Sequence, residues 1–132
     1  MAYFDCCKYE NVPTVATSIY DVHIKIREDE IQFHVENAGC LKLDYLQFEF
    51  FLEHALLFSG YLNSQQEFDL EDHGLKLSVG NSESEDGPSL RMTVESNMVT
   101  LNYMNFMEML GYVPLLMAQL SFFSHFLSVS LQ

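Results

Sequence analysis

Two histidines, His23 and His34, lead the residues of this chain whose types and spacing could do chemistry. They sit in alternating segments, Val22-His-Ile-Lys-Ile-Arg27 and Ile31-Gln-Phe-His-Val35. If Glu28-Asp29 forms the two-residue turn between them, His23 faces His34, Lys25 faces Gln32 and Asp21 faces Glu36. Two imidazoles with carboxylates one pair along are the donor types of a zinc or copper site. The plainer reading is a solvated sheet face that carries two histidines, and no metal or other cofactor is expected. Cys6-Cys7 could form a redox or metal-binding pair, but only Lys8 stands nearby to lower a thiol pKa. The sequence has no Gly-rich phosphate loop, no His-Glu-x-x-His, no Gly-x-Ser-x-Gly and no Cys-x-x-Cys. His54 and His125 fall on apolar helical stretches, where packing accounts for them. An enzyme is not expected.

Two charged sets offer binding chemistry instead. The densest acidic tract is Glu67, Asp69, Glu71 and Asp72, followed by Glu83, Glu85 and Asp86. Carboxylates in such a row can imitate nucleic-acid phosphates and occupy a basic groove on another protein. They can also simply guard an edge strand against aggregation. The basic set is Lys25, Arg27, Lys42, Lys76 and Arg91, all at outward strand positions. It could track a phosphate backbone, or stand there because the inward positions are apolar. Asp21, Glu36 and Glu95 share those faces, and outward aromatics for base stacking are missing.

The elements that must hold these residues come from one chain of 132 residues, a length that fits a single domain. With 48% hydrophobic and 14% aromatic residues it can bury a core, and disorder is excluded. Nineteen acidic residues against six basic give a net charge of -13, shared as -6 by residues 1–62 and -7 by residues 63–132. That charge repels nucleic acid and anionic membranes and attracts basic partners. Three cysteines in no framework spacing, together with no signal peptide read at the start, point to a reducing, cytoplasmic setting. The C-terminal stretch after Glu108 is apolar on nearly every side. It contains Pro114, Gln119 and His125 and has no Lys or Arg beside it, so a membrane anchor is not expected.

Strands are expected at 3–10, 19–27, 30–36 and 40–43, with a turn at 11–13. Asp44, with Gln47 three residues on, should cap a helix from 45 to about 62. The second half repeats the pattern. Strands are expected at 67–71, 75–79, 90–95 and 98–101, with a polar loop at 80–89. Asn102 then caps a helix that Pro114 should break, leaving a second piece from about 115 to 129.

The halves also echo in sequence. Leu43-Asp-Tyr-Leu-Gln-Phe48 reads like Leu101-Asn-Tyr-Met-Asn-Phe106, and Leu52 and Leu57 match Leu110 and Leu115. The expected fold is α+β: two ββββα repeats, 1–62 and 63–132, with antiparallel sheets and helices packed on their inner faces. This element order resembles the PC4/Whirly group of single-stranded-DNA-binding proteins, whose unit is four antiparallel strands and a helix, paired in one chain in Whirly. The resemblance implies a nucleic-acid surface on the strands. Whirly's basic Lys-Gly-Lys signature has no counterpart; the nearest stretch, Gly74-Leu-Lys-Leu-Ser78, has one lysine.

Charge favours a non-enzymatic module that binds a basic protein, of inhibitor, adaptor or immunity type, through Glu67, Asp69, Glu71, Asp72, Glu83, Glu85 and Asp86. The alternative is single-stranded nucleic-acid binding through the five cations. Phe122, Phe123, Phe126 and Leu127 crowd near the chain end, and so a homodimer interface is expected there.

Overall fold

The computed structural model describes residues 14–28, 30–81 and 87–130, with side chains through Phe123 apart from Asn81. The strand expected at 3–10, the turn at 11–13 and Cys6-Cys7 lie outside the described residues.

Two antiparallel four-stranded sheets and four helices make an α+β fold of two ββββα units. The first unit runs β1 (Thr14–Ile19), β2 (Val22–Arg27), β3 (Ile31–Val35), β4 (Gly39–Leu43), α1 (Tyr45–Glu53) and α2 (Ala55–Ser64). The second runs β5 (Phe68–Asp72), β6 (Leu75–Asn81), β7 (Pro88–Val94), β8 (Asn97–Asn102), α3 (Tyr103–Leu110) and α4 (Val113–Ser130). Within each sheet the strands follow chain order, so β1 and β5 are the far edges.

Alternation drives both sheets. Val22, Ile24 and Ile26 pair with Val35, Phe33 and Ile31 on the inner face, all buried. Leu75, Leu77 and Val79 pair in the same way with Val94, Met92 and Leu90, Val94 half-buried and the rest buried. The helix starts match as well. Asp44 accepts a hydrogen bond from the Gln47 amide at 2.8 Å, and Asn102 accepts one from the Asn105 amide at 2.8 Å. Each cap satisfies an amide that has no partner inside its helix. Tyr45 and Tyr103 therefore open corresponding helices, and Phe48 and Phe106, three residues further, are both fully buried.

Three expectations need correction. The segment expected as one strand from Ile19 to Arg27 is two strands: Tyr20, at φ 52°, and Asp21 turn the chain, and β1 begins five residues earlier than Ile19. The first helix breaks at His54, whose backbone (φ -102°, ψ 6°) leaves the helical region and whose Nδ1 donates to the Phe50 carbonyl at 2.9 Å. The second helix breaks at Gly111 and Tyr112, before Pro114 rather than at it. A proline in the first turn of a helix has no amide that the helix needs, so Pro114 belongs to the start of α4. The two pieces meet at a bend of 64°.

The halves are interlocked. α1 lies on its own sheet, with Phe51 edge-on to Phe33 at 5.7 Å. α2 crosses to the second sheet, where Phe58 and Tyr61 pack on Phe68 of β5, the Tyr61 ring parallel at 4.1 Å. α4 crosses back to β2 and α1. Thr17 of β1 donates to Gln119 of α4 across this junction, at 3.5 Å. One apolar cluster runs through both units. α4 is nevertheless not buried all round: Leu116, Leu120 and Phe123 face the core, while Leu115 and Phe122 stand exposed.

Candidate interaction surface

The outer faces of the sheets hold most of the residues singled out by type. On the first sheet, Ser18, His23, His34 and Cys40 form one cross-strand row, and Ala16, Lys25, Gln32 and Lys42 form the next. The His23–His34 register is the expected one. Their rings stack with centroids 5.9 Å apart and planes at 28°. Ser18 Oγ lies 2.8 Å from His23 Nδ1, and Glu36 Oε1 lies 3.8 Å from His23 Nε2. Among the described residues no three His, Cys, Asp or Glu side chains form a group that could hold a metal ion.

On the second sheet the acidic and basic candidates turn out to share one face. Asp69, Ser78, Arg91 and Thr100 make one row; Glu71, Lys76, Thr93 and Met98 make the next. Glu67 and Asp69 line a concavity of about 530 Å³ together with Lys76, Ser78, Ser89 and Arg91. The sheet face is thus mixed in sign, which sequence alternation alone did not reveal, because the register between β5, β6 and β7 depends on which strands pair.

Charge becomes one-sided at the edge. β5 is the outer strand; Asp69 and Glu71 are exposed on it, and Glu67 is exposed just before it. Glu71 stands opposite Lys76. Among the described residues none of these three carboxylates makes an ion pair or hydrogen bond. Asp72 lies 3.7 Å from His73 Nε2 and accepts from the His73 amide. Glu83, Glu85 and Asp86 lie outside the described residues.

The basic set is dispersed. Lys25 and Arg27 lie on β2, Lys42 on β4, Lys76 on β6 and Arg91 on β7. Arg27 is half-buried, and its Nε is buried without a hydrogen-bond partner among the described residues. No row joins more than two of the five.

Of the four residues expected at a dimer interface, Phe122 is 63% exposed and Phe123 is 2% exposed. Phe123 belongs to the chain's own core, which leaves it nothing to offer a partner. The side chains of Phe126 and Leu127 lie outside the described residues. Sequence reasoning passed over the exposed apolar residues of the helices, among them Leu46, Leu56, Met104 and Leu115. The available signal was the spacing of apolar residues over more than one helix face. Among the described residues no single helix is long and apolar enough to cross a membrane; α3 and α4 reach that length only as a bent pair. No family model matches the chain, and no curated protein matches it.

Proposed function

We propose that the chain is a non-enzymatic, acidic protein-binding module of inhibitor or adaptor type whose partner is a basic protein. The observation that supports this most is the edge strand β5: Asp69 and Glu71 on it, and Glu67 just before it, are exposed and make no ion pair or hydrogen bond among the described residues. Carboxylates held on a strand repeat about every 7 Å along one face. That row, and a net charge of -13, attract a cationic surface from a distance and give fast, salt-sensitive association. Asp72 adds a fourth carboxylate at the end of the strand, on the alternate parity, and Glu83, Glu85 and Asp86 follow close behind in sequence.

A second reading, single-stranded nucleic-acid binding of the PC4/Whirly kind, draws on the tandem ββββα architecture and on Lys25, Arg27, Lys42, Lys76 and Arg91 at outward strand positions. Affinity for phosphates comes largely from counterions released by clustered cations. Here Glu71 faces Lys76 and Asp69 shares a row with Arg91, which weakens that term.

A pull-down from the native host at low and high salt, beside a gel shift with single-stranded DNA, separates the two. Capture of a basic protein that salt releases, and that Asp69→Lys with Glu71→Lys weakens by slowing association, supports the first reading. A salt-sensitive DNA shift lost on Lys25→Glu with Arg91→Glu replaces it with the second.

A further inference from the structure

The four helices carry charge of one sign. Residues 44–66 and 97–132 contain no lysine or arginine. α1 leaves Leu46, Glu49 and Glu53 exposed at spacings of three and four, which places them on one stripe. α4 packs beside α1 and leaves Leu115, Ala118 and Phe122 exposed at the same spacings. An acidic stripe and an apolar stripe thus lie on neighbouring helices. Leu46, Leu115 and Phe122 are each about half exposed or more, at 55%, 48% and 63%. Large apolar side chains left exposed on neighbouring helices mark an interaction surface.

Charge selects the occupant. A second copy docked through the same face would bring the same two glutamates and no cation on its own α1 or α4 to answer them. An anionic membrane or a nucleic acid would meet the same repulsion. A partner helix with apolar residues three and four apart and Lys or Arg along its flank answers both stripes: its apolar face covers Leu115, Ala118 and Phe122, and its cations reach Glu49 and Glu53. We propose that the α1–α4 face is the docking site for a cationic amphipathic helix of a partner protein. This rests on the reading that the partner is a basic protein, and it supplies what the β5 carboxylates lack. Exposed charges steer the encounter, whereas desolvated apolar anchors hold the complex.

The test is a kinetic binding measurement on the intact chain with a labelled helical peptide of about 18 residues built from Leu and Lys at amphipathic spacing, long enough to be stably helical when bound. A scrambled peptide of equal composition is the control. The amphipathic peptide should bind at least tenfold more tightly than the scrambled one. Phe122→Ser and Leu115→Ser replace exposed residues, and circular dichroism checks that they stay folded. Each should speed dissociation at least tenfold, and Glu49→Lys with Glu53→Lys should abolish binding. Asp69→Lys with Glu71→Lys should slow association and leave dissociation unchanged. Equal binding of the two peptides, or no effect of Phe122→Ser and Leu115→Ser, overturns the docking face. So does light scattering that finds a dimer which Phe122→Ser dissolves, because the occupant is then a second copy. If the model peptide fails while the chain still captures a basic protein through β5, the docking face alone is wrong; if no basic protein binds at all, the reading beneath it falls as well.

Discussion

Gly39 lies flush against the backbone of Met98: a Cβ placed on Gly39 would stand 2.5 Å from the Met98 carbonyl oxygen and 3.2 Å from Val99 Cγ1. Gly39 opens β4 and Met98 lies in β8, so this contact is where the two sheets meet edge to edge. The Thr100 amide donates to the Ala38 carbonyl beside it, at 3.3 Å. Gly39 also holds φ at +111°, a conformation closed to other residues without strain.

Gly39→Ala should therefore cost about 2–4 kcal/mol, from backbone strain plus a clash with main chain that cannot rotate away. Gly60→Ala is the control. Gly60 lies in α2 with nothing within 4 Å of its added Cβ, and the change should stabilise by about 0.5–1 kcal/mol. Urea denaturation reads both, and an unchanged midpoint for Gly39→Ala would contradict the close approach.

The paired helix caps give a second check. Asp44→Ala and Asn102→Ala should each cost about 1 kcal/mol, and the double substitution should cost nearly the sum, because the sites share no partner. Gln47→Ala should cost more, about 2 kcal/mol, because the Gln47 side chain accepts from the Asp44 amide at 3.0 Å and donates to the His73 carbonyl at 2.9 Å. Thermal unfolding of the four variants measures this. If Gln47→Ala were milder than Asp44→Ala, the link from α1 to the β5–β6 turn would carry no weight.

Adjacent phenylalanines should behave in opposite ways. Phe123→Ala removes a ring that is buried in the core and should cost about 3–5 kcal/mol. Phe122→Ala should stay within about 0.5 kcal/mol, as exposed substitutions usually do. Equal costs would mean that α4 is rotated from the orientation described.

The β2–β3 register was legible because alternation was strict: Val22, Ile24 and Ile26 could face only one way, and a two-residue turn then set His23 against His34. β1 was not, since Thr14-Val-Ala-Thr-Ser-Ile19 puts a threonine at the middle inward position and so breaks the apolar alternation. The break at His54 carried no glycine or proline to announce it. The break near Pro114 was legible in existence but misplaced, because proline was read as a helix breaker rather than as a first-turn residue. The crossing of α2 and α4 to opposite sheets was beyond reach: periodicity says which face of a helix is buried and never against what. The acidic row was visible in sequence, but its mixing with Lys76 and Arg91 on one face required the strand pairing.

Surface binding over a salt series, with the immobilised chain offered a basic protein from its host and, separately, a single-stranded oligonucleotide, reads the charge-driven association itself. The basic protein should bind, its association should slow several-fold as salt rises from about 50 to about 200 mM, and Asp69→Lys with Glu71→Lys should remove the salt effect, while the oligonucleotide should not bind. Salt-sensitive binding of the oligonucleotide, abolished by Lys25→Glu with Arg91→Glu and indifferent to Asp69→Lys with Glu71→Lys, would contradict the protein-binding reading.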